Sequence, residues 1–355
     1  MKIVFTVDSM NSGGAERVVS NLANEFTKRG NQVFVVMIST NKCESFYHLN
    51  DGVQLSCVLP PTNKKIRFFR RTSLIKKHIC NIKPDIVISF LSHVNIYSFI
   101  SLRGTSIPIV VSERCDPNQY SFFIRLLLKV VFKKSNGCIF QTNDAMKWYG
   151  KQVFKKSIVI PNPVSLNISE DQIQRKPTKE KTIISVGRLV DQKNFSLLIE
   201  AFANFYKMHN DYVLKIYGEG PLKDKLCHQI AEHNLENAVS LMGNSKTWQF
   251  EERDSSLFVL SSDYEGMPNA LMEAMALQIP CVSTNCPIGG PGELIKDNVN
   301  GYLAPVNNAL ALSEIINKAI DRPLIDEHFL QKYSIEMISN MWEEYLDKVI
   351  NSYKH

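Results

Sequence analysis

Short apolar, β-branched runs alternate along the chain with longer stretches whose apolar positions recur at helical spacing. In the first half the runs predict strands near 2–7, 32–38, 54–58, 86–90, 108–112, 137–140 and 157–160. Helices are expected to begin near Ala15, Lys64, Val94, Gln119 and Asp144. A polar stretch, Asn167 to Lys181, rich in Ser, Gln, Lys and Glu and holding Pro177, reads as an inter-domain linker. The alternation then restarts, with strands near 182–186, 212–217, 238–242, 256–260, 280–284 and 301–304. Helices there begin near Asn194, Leu222, Ser245, Asn269, Gly292 and Ala309. Within Ser334–Tyr353, Ile335, Ile338, Trp342, Tyr345 and Val349 fall at helical spacing and predict an amphipathic helix. Strand–helix alternation on this scale predicts an α/β protein of two doubly wound parallel sheets, residues 1–166 and 182–333.

Composition agrees with that plan. A chain of 355 residues can hold two domains, each with its own core, and 44% apolar against 21% charged residues is a globular balance. The eight cysteines show no CxxC pair and read as reduced thiols of a cytoplasmic protein. The run Met1–Val7 meets Asp8 almost at once, so it reads as a first buried strand and not as a leader. No stretch approaches the roughly 20 uncharged residues that span a bilayer.

Charge is uneven. Residues 1–170 carry roughly +13 and the remainder about −7, within an overall +6. The first half is therefore expected to face an anionic partner. Lys64–Arg71 interleaves Phe68 and Phe69 with cations, and Lys76 and Lys77 follow. In Ser121–Lys134, Arg125, Lys129 and Lys133 recur every four residues among large apolar side chains. That pattern suits a helix lying in a membrane interface, and equally a core helix with a solvated edge. No helix-turn-helix, zinc finger or aromatic RNA-binding signature is present, so a membrane surface is expected and nucleic acid is not.

Candidate chemistry gathers at strand ends. Gly187-Arg188, Gly218-Glu-Gly220 and Gly243 follow three successive predicted strands, and Glu265-Gly266-Met267-Pro268-Asn269 follows a fourth. Ligands of such sheets sit outside the carboxyl ends of the strands, and glycines there let backbone approach them. Pro268 is suited to a helix start, whose free N–H groups favour a phosphate. Glu273 is the lone charge in the apolar stretch Ala270–Leu277, where a buried carboxylate needs a hydrogen-bonding partner such as a ribose diol.

The two glutamates in EGMPNALMEAMA resemble the donor-site motif of GT-B-fold retaining glycosyltransferases of family 4. Gly13-Gly14-Ala-Glu-Arg17, Ile160-Pro-Asn162-Pro163, Val186–Asn194, Tyr217–Leu222 and Gly289–Glu293 extend the resemblance along nearly the whole chain. It implies two Rossmann-like domains, with a nucleotide sugar, UDP-linked in such a branch, held by the second. It implies that Arg188 and Lys193 clamp the donor diphosphate, that Glu265 faces the transferred sugar, and that Glu273 holds the ribose. Gly13 and Gly14 are expected near the donor phosphates. The C-terminal helix, 334–355, is expected to complete the first domain, which would take a saccharide or lipid-linked acceptor. Arg17, His93, Glu113, Arg114 and Asn162 are candidates near the acceptor and the sugar. Ser112-Glu-Arg-Cys-Asp-Pro117 is similar to the Glu-Arg-Asn-Asp-Pro segment of one branch, whereas many members carry a histidine in this region and this chain has none there. No Asp-x-Asp pair suits a divalent metal, so neither metal nor cofactor is expected. The subfamily resembled builds lipopolysaccharide, capsule or lipid-linked glycans at the inner face of a bacterial membrane. A nucleotide-sugar 2-epimerase and a non-catalytic partner in a polysaccharide assembly complex are the rival readings. A dehydrogenase lacks the GxGxxG spacing after the first strand.

Overall fold

The computed structural model describes residues 1–59, 67–164, 166 and 181–354. The expected helix start at Lys64, its neighbour Lys65 and the linker residues 167–180 lie outside the described residues.

The chain divides into two compact units, Met1–Pro163 with Tyr333–His355, and Val164–Lys332. In the first, seven strands form one parallel sheet: β1 (Lys2–Val7), β2 (Gln32–Met37), β3 (Val53–Cys57), β4 (Ile86–Phe90), β5 (Ile109–Ser112), β6 (Gly137–Phe140) and β7 (Ser157–Val159). Their spatial order is β3-β2-β1-β4-β5-β6-β7. The helices are α1 (Gly14–Lys28), α2 (Phe68–Ile82), α3 (Ser92–Leu102), α4 (Phe122–Lys134), α5 (Asn143–Trp148) and α6 (Lys151–Phe154). Every residue of β4, β5 and β6 is buried, as expected of strands covered on both faces.

The second unit holds six parallel strands: β8 (Thr182–Val186), β9 (Val213–Tyr217), β10 (Val239–Gly243), β11 (Leu257–Leu260), β12 (Cys281–Thr284) and β13 (Tyr302–Ala304). Their order is β10-β9-β8-β11-β12-β13. Its helices are α7 (Phe195–Tyr206), α8 (Lys223–Glu232), α9 (Trp248–Glu251), α10 (Asn269–Ala276), α11 (Gly290–Leu294), α12 (Ala309–Asp321) and α13 (Phe329–Lys332). Both sheets reverse direction once, between β1 and β4 and between β8 and β11. Such switch points open crevices at the carboxyl edge.

The final helix, α14 (Ile335–Lys354), packs against α1 in the first unit. Its Ile338, Trp342, Leu346, Val349 and Ile350 are buried with β1, β4 and α1 in one core. Arg29 of α1 pairs with Glu343 at 2.8 Å, and the Cys138 N–H donates to Tyr345 Oη at 2.9 Å.

The helix expected near Gln119 differs from expectation. Residues Pro117–Gln119 form a single 3-10 turn, capped by Asp116 Oδ1 accepting from the Asn118 N–H at 2.8 Å, and α4 begins only at Phe122. Along α4 only Leu128, Val131 and Phe132 are buried. Six other large apolar side chains face outward there, so α4 is not an ordinary core helix with a charged edge.

Candidate functional site

In the second unit the loops after β8 and β11 meet at the switch point. The β8 loop runs through Gly187 and Arg188 into a short turn, Asp191–Lys193. Asn194 then adopts a left-handed conformation, φ 45°, and its side chain caps α7 by accepting from the Leu197 N–H at 3.1 Å. The same side chain donates to Asp263 Oδ1 at 2.7 Å. The Asp263 N–H donates to Gln192 O at 2.9 Å, and Ser261 Oγ donates to Lys193 O at 2.8 Å. These bonds fix the backbone on both sides of one ion pair: Lys193 Nζ stands 2.5 Å from Glu265 Oε1, with both side chains largely buried. Ser262 Oγ donates to the same carboxylate oxygen at 2.7 Å.

Arg188, five residues before Lys193, is exposed and makes no ion pair among the described residues. The loop therefore carries one cation already engaged by a carboxylate and one available. Burial, followed by the nearby Glu265 charge, pushes the Cys286 thiol up to about 12. Cys286 is thus a neutral, apolar wall beside Glu265.

Glu273 lies on α10, eight residues past Glu265, and is buried among Leu271, Met272, Ala274 and Met275. Met267 and Pro268 are buried as well, while Gly266 and Asn269 remain partly open at the start of α10.

The glycines have a sharper purpose than approach to a ligand. At Gly218, φ 146°, a Cβ would fall inside the radius of Gly187 O, and at Gly290 it would fall on Gly266 O. A Cβ at Gly220 would meet the Leu189 backbone, and Gly243 O accepts from the Gly218 N–H at 2.8 Å. Glycine here brings loop against loop, which draws Gly187, Gly218 and Gly243 into one rim.

In the first unit Asp8, just past β1, and His93, in the first turn of α3 after β4, meet at the other switch point. His93 Nε2 is 2.7 Å from Asp8 Oδ1, and this bond holds the Asp8 carboxyl below its ordinary value. Gly13 precedes α1 in extended conformation, and the Glu16 side chain folds back over it. Gly14 and Arg17 lie in the first turn of that helix.

Glu113 and Arg114, candidates near the acceptor and the sugar, are both buried. Glu113 accepts from Tyr149 Oη at 2.5 Å, from Ser92 Oγ at 3.1 Å and from its neighbours' backbone, and burial pushes its carboxyl up. The Arg114 guanidinium lies 4.5 Å from the Phe90 ring centre and 5.5 Å from that of Trp342, and donates to Asn162 Oδ1 at 2.9 Å. Desolvation lowers its pKa to about 9. The guanidinium lies against two aromatic rings, and its Nε and second Nη are buried without a hydrogen-bond partner among the described residues. Asn162, also buried, belongs to the same network.

Sequence comparison places these residues in a family. The description Glycosyl transferases group 1 matches residues 167–337, and Glycosyltransferase Family 4 matches residues 12–168. An uncharacterised glycosyltransferase of Methanocaldococcus jannaschii is 30% identical over 77% of this chain and 76% of its own length. This chain is a glycosyltransferase of the GT-B, family 4-like type. An α-1,4-N-acetylgalactosaminyltransferase of Campylobacter jejuni, whose named acceptor is a diphospho-undecaprenol-linked saccharide, is 26% identical over all of this chain and 96% of its own. The crystal structure of Anabaena HepE in complex with UDP superimposes with a TM-score of 0.79 at 19% identity, covering 98% of this chain and all of that one. It shares the fold of this glycosyltransferase.

Among the described residues, no group of three or more His, Cys, Asp or Glu is placed to hold a metal ion, and no helix is long and apolar enough to cross a membrane. One residue escaped sequence reasoning. Asp8 was legible only as the charge that ends the first strand. Its position at a sheet's carboxyl edge, opposite the strand that leads to His93, was the available signal.

Proposed function

We propose that the chain transfers a hexose or N-acetylhexosamine, with retention, from a UDP-sugar to a saccharide acceptor carried on a lipid, in bacterial surface polysaccharide or glycan synthesis. The observation that carries this reading is the second unit's switch point. Exposed Arg188, paired Lys193–Glu265 and buried Glu273 lie there on adjoining loops and the helix that follows.

As the bond from the anomeric carbon to the leaving phosphate oxygen breaks, negative charge grows on the diphosphate. Arg188 and Lys193 supply fixed positive charge against it, an effect commonly worth several kcal/mol. Glu265 accepts hydrogen bonds from the sugar's hydroxyls, and Glu273 holds the ribose. The acceptor oxygen attacks the face the phosphate leaves, and its proton passes to the departing phosphate. No metal or other cofactor is required in this scheme. The UDP held by the structurally similar Anabaena protein supports the nucleotide, and the acceptor in the Campylobacter relative's name supports the lipid-linked substrate. The second unit takes the donor. The basic first unit takes the acceptor and works at the inner face of the membrane.

The test is a transfer assay offering UDP-glucose, UDP-galactose and their N-acetyl counterparts with diphospholipid-linked saccharides, followed by mass spectrometry and proton NMR of the product. An α-linked product from the α-configured donor is expected. A β-linked product contradicts retention, and transfer from GDP-sugars alone contradicts the nucleotide.

A further inference from the structure

Glu113 follows β5 and is only 1% exposed. A buried carboxyl is costly unless it is hydrogen-bonded, so its partners show what it holds. Its Oε2 accepts from Tyr149 Oη at 2.5 Å, which ties it to the end of α5. Its Oε1 accepts from Ser92 Oγ at 3.1 Å, which ties it to the first residue of α3. The Arg114 and Cys115 N–H groups donate to the same Oε1 at 3.0 and 3.3 Å, so the carboxyl is fixed by its own loop as well.

The turn that Ser92 closes is strained. Leu91, between β4 and α3, has φ 75° and ψ 145°, a conformation that favours glycine. Its carbonyl accepts from the Asn95 N–H at 2.8 Å, and Asn95 Nδ2 donates to Ser112 O at 3.0 Å. Such strain persists only where the surroundings over-determine the backbone, and it gathers at functional sites. Ser92 and Asn95 supply that hold from the end of β5. His93, between them, is left in the open. Its side chain is 53% exposed, bonds to Asp8 through Nε2 and makes no other hydrogen bond among the described residues. Ser39 also bonds to Asp8, and Arg71 lends it positive charge, so Asp8 is a carboxylate at neutral pH. It accepts the Nε2 proton, which leaves a neutral ring with Nδ1 as an acceptor.

We propose that Glu113 is a positioning residue of the transfer reaction: through Ser92 it locks the strained turn after β4 and presents the His93 ring, held on Asp8, to a hydroxyl of the acceptor sugar. That hydroxyl donates to Nδ1, which orients the nucleophilic oxygen before attack. An apolar side chain at 113 would fill the same space. The carboxyl instead collects donors from α3, from α5 and from its own loop, and the α3 bond lies one residue from His93. The inference rests on the reading that the first unit takes the acceptor, and it adds the device that aims the acceptor-facing side chain.

The experiment follows the imidazole NMR signals of the histidine-labelled full chain, with the His93 Nε2–H resonance identified by its loss in His93→Gln. Beside it, transfer from a UDP-sugar to a diphospholipid-linked saccharide and UDP titration are measured for each variant. Ser92→Ala cuts the link without emptying the core, and Glu113→Ala removes its far end. Both are expected to displace the His93 resonance and to lower kcat/KM for the saccharide by about tenfold, with UDP affinity unchanged. Glu113→Gln keeps an oxygen for Ser92 and is expected to behave as the wild type. Tyr149→Phe removes the other bond to the carboxyl and is expected to lower stability while leaving the His93 signal in place. A His93 resonance that Ser92→Ala does not move overturns the proposal. So does one that Tyr149→Phe moves equally, since the buried cluster then acts only as packing. A displaced resonance with transfer unaffected overturns the acceptor role of this turn, while UDP titration reports separately on the donor site.

Discussion

Lys193 and Glu265, 72 residues apart in sequence, meet at 2.5 Å at the switch point of the second sheet. Asp8 and His93 occupy the corresponding place in the first, 2.7 Å apart. In each unit the loop after the first strand supplies one partner. The other follows the strand that lies beside it across the reversal. A polar pair at each crevice is what a parallel sheet offers a polar ligand, because the reversal of strand order leaves room there.

The pair in the second unit makes its two cations unequal. Lys193→Met is expected to lower turnover by about 10²–10³ and to destabilise the fold by on the order of 3 kcal/mol, since it strands a largely buried Glu265. Arg188→Ala is expected to lower turnover by a similar factor with stability unchanged, because that side chain is exposed and makes no ion pair among the described residues. Kinetics combined with urea unfolding separates the two. Adding Glu265→Gln to Lys193→Met should restore much of the stability and none of the activity.

Gly218→Ala should cost more than ~1 kcal/mol and weaken UDP binding, because the new methyl group has only the Gly187 carbonyl to displace. Gly187→Ala should be milder in stability. There the added Cβ meets Lys193 methylenes at 3.2 Å, which can move. Thermal unfolding of the two variants checks the order.

Trp342→Ala is expected to destabilise the first unit by about 3–5 kcal/mol. The indole is fully buried, stacks on Phe90 at 5.8 Å and covers one face of Arg114. Removing it opens a cavity and bares a guanidinium that the fold encloses. Equilibrium denaturation measures the loss.

The Asp8 carboxyl is held below its ordinary value when folded, so its contribution to stability is present above the unfolded value near ~3.9 and is lost as pH falls through the lower folded one. Asp8→Asn should therefore flatten the acid limb of the stability profile. Melting temperatures between neutral pH and about pH 2 report this, and an unchanged acid limb contradicts the pairing with His93.

Much of this architecture was readable in advance. All thirteen described strands lie within a residue of where the apolar runs placed them, most plainly β4, β5, β6 and β11, which are buried along their whole length. Helix α10 was equally legible from EGMPN and the apolar run behind it. What escaped depended on neighbours distant in sequence. Nothing near Ser112–Pro117 reveals that Trp342 lies over Arg114, so its inward turn could not be read locally. The glycine turns were visible, but not that Gly218 is pressed against Gly187. The periodicity of residues 121–134 left two readings open, because only the packing of α3 shows which face α4 buries.

The central claim is that the second unit holds a uridine nucleotide, with Glu273 on its ribose. Isothermal titration of the purified chain with UDP, beside Glu273→Ala and beside GDP, tests it most directly. UDP binding in the micromolar range, weakened by about tenfold or more in the variant and stronger than GDP binding, is the predicted result. Absence of binding by either nucleotide, or binding indifferent to Glu273, would contradict the donor site and bring a non-catalytic role in an assembly complex to the front.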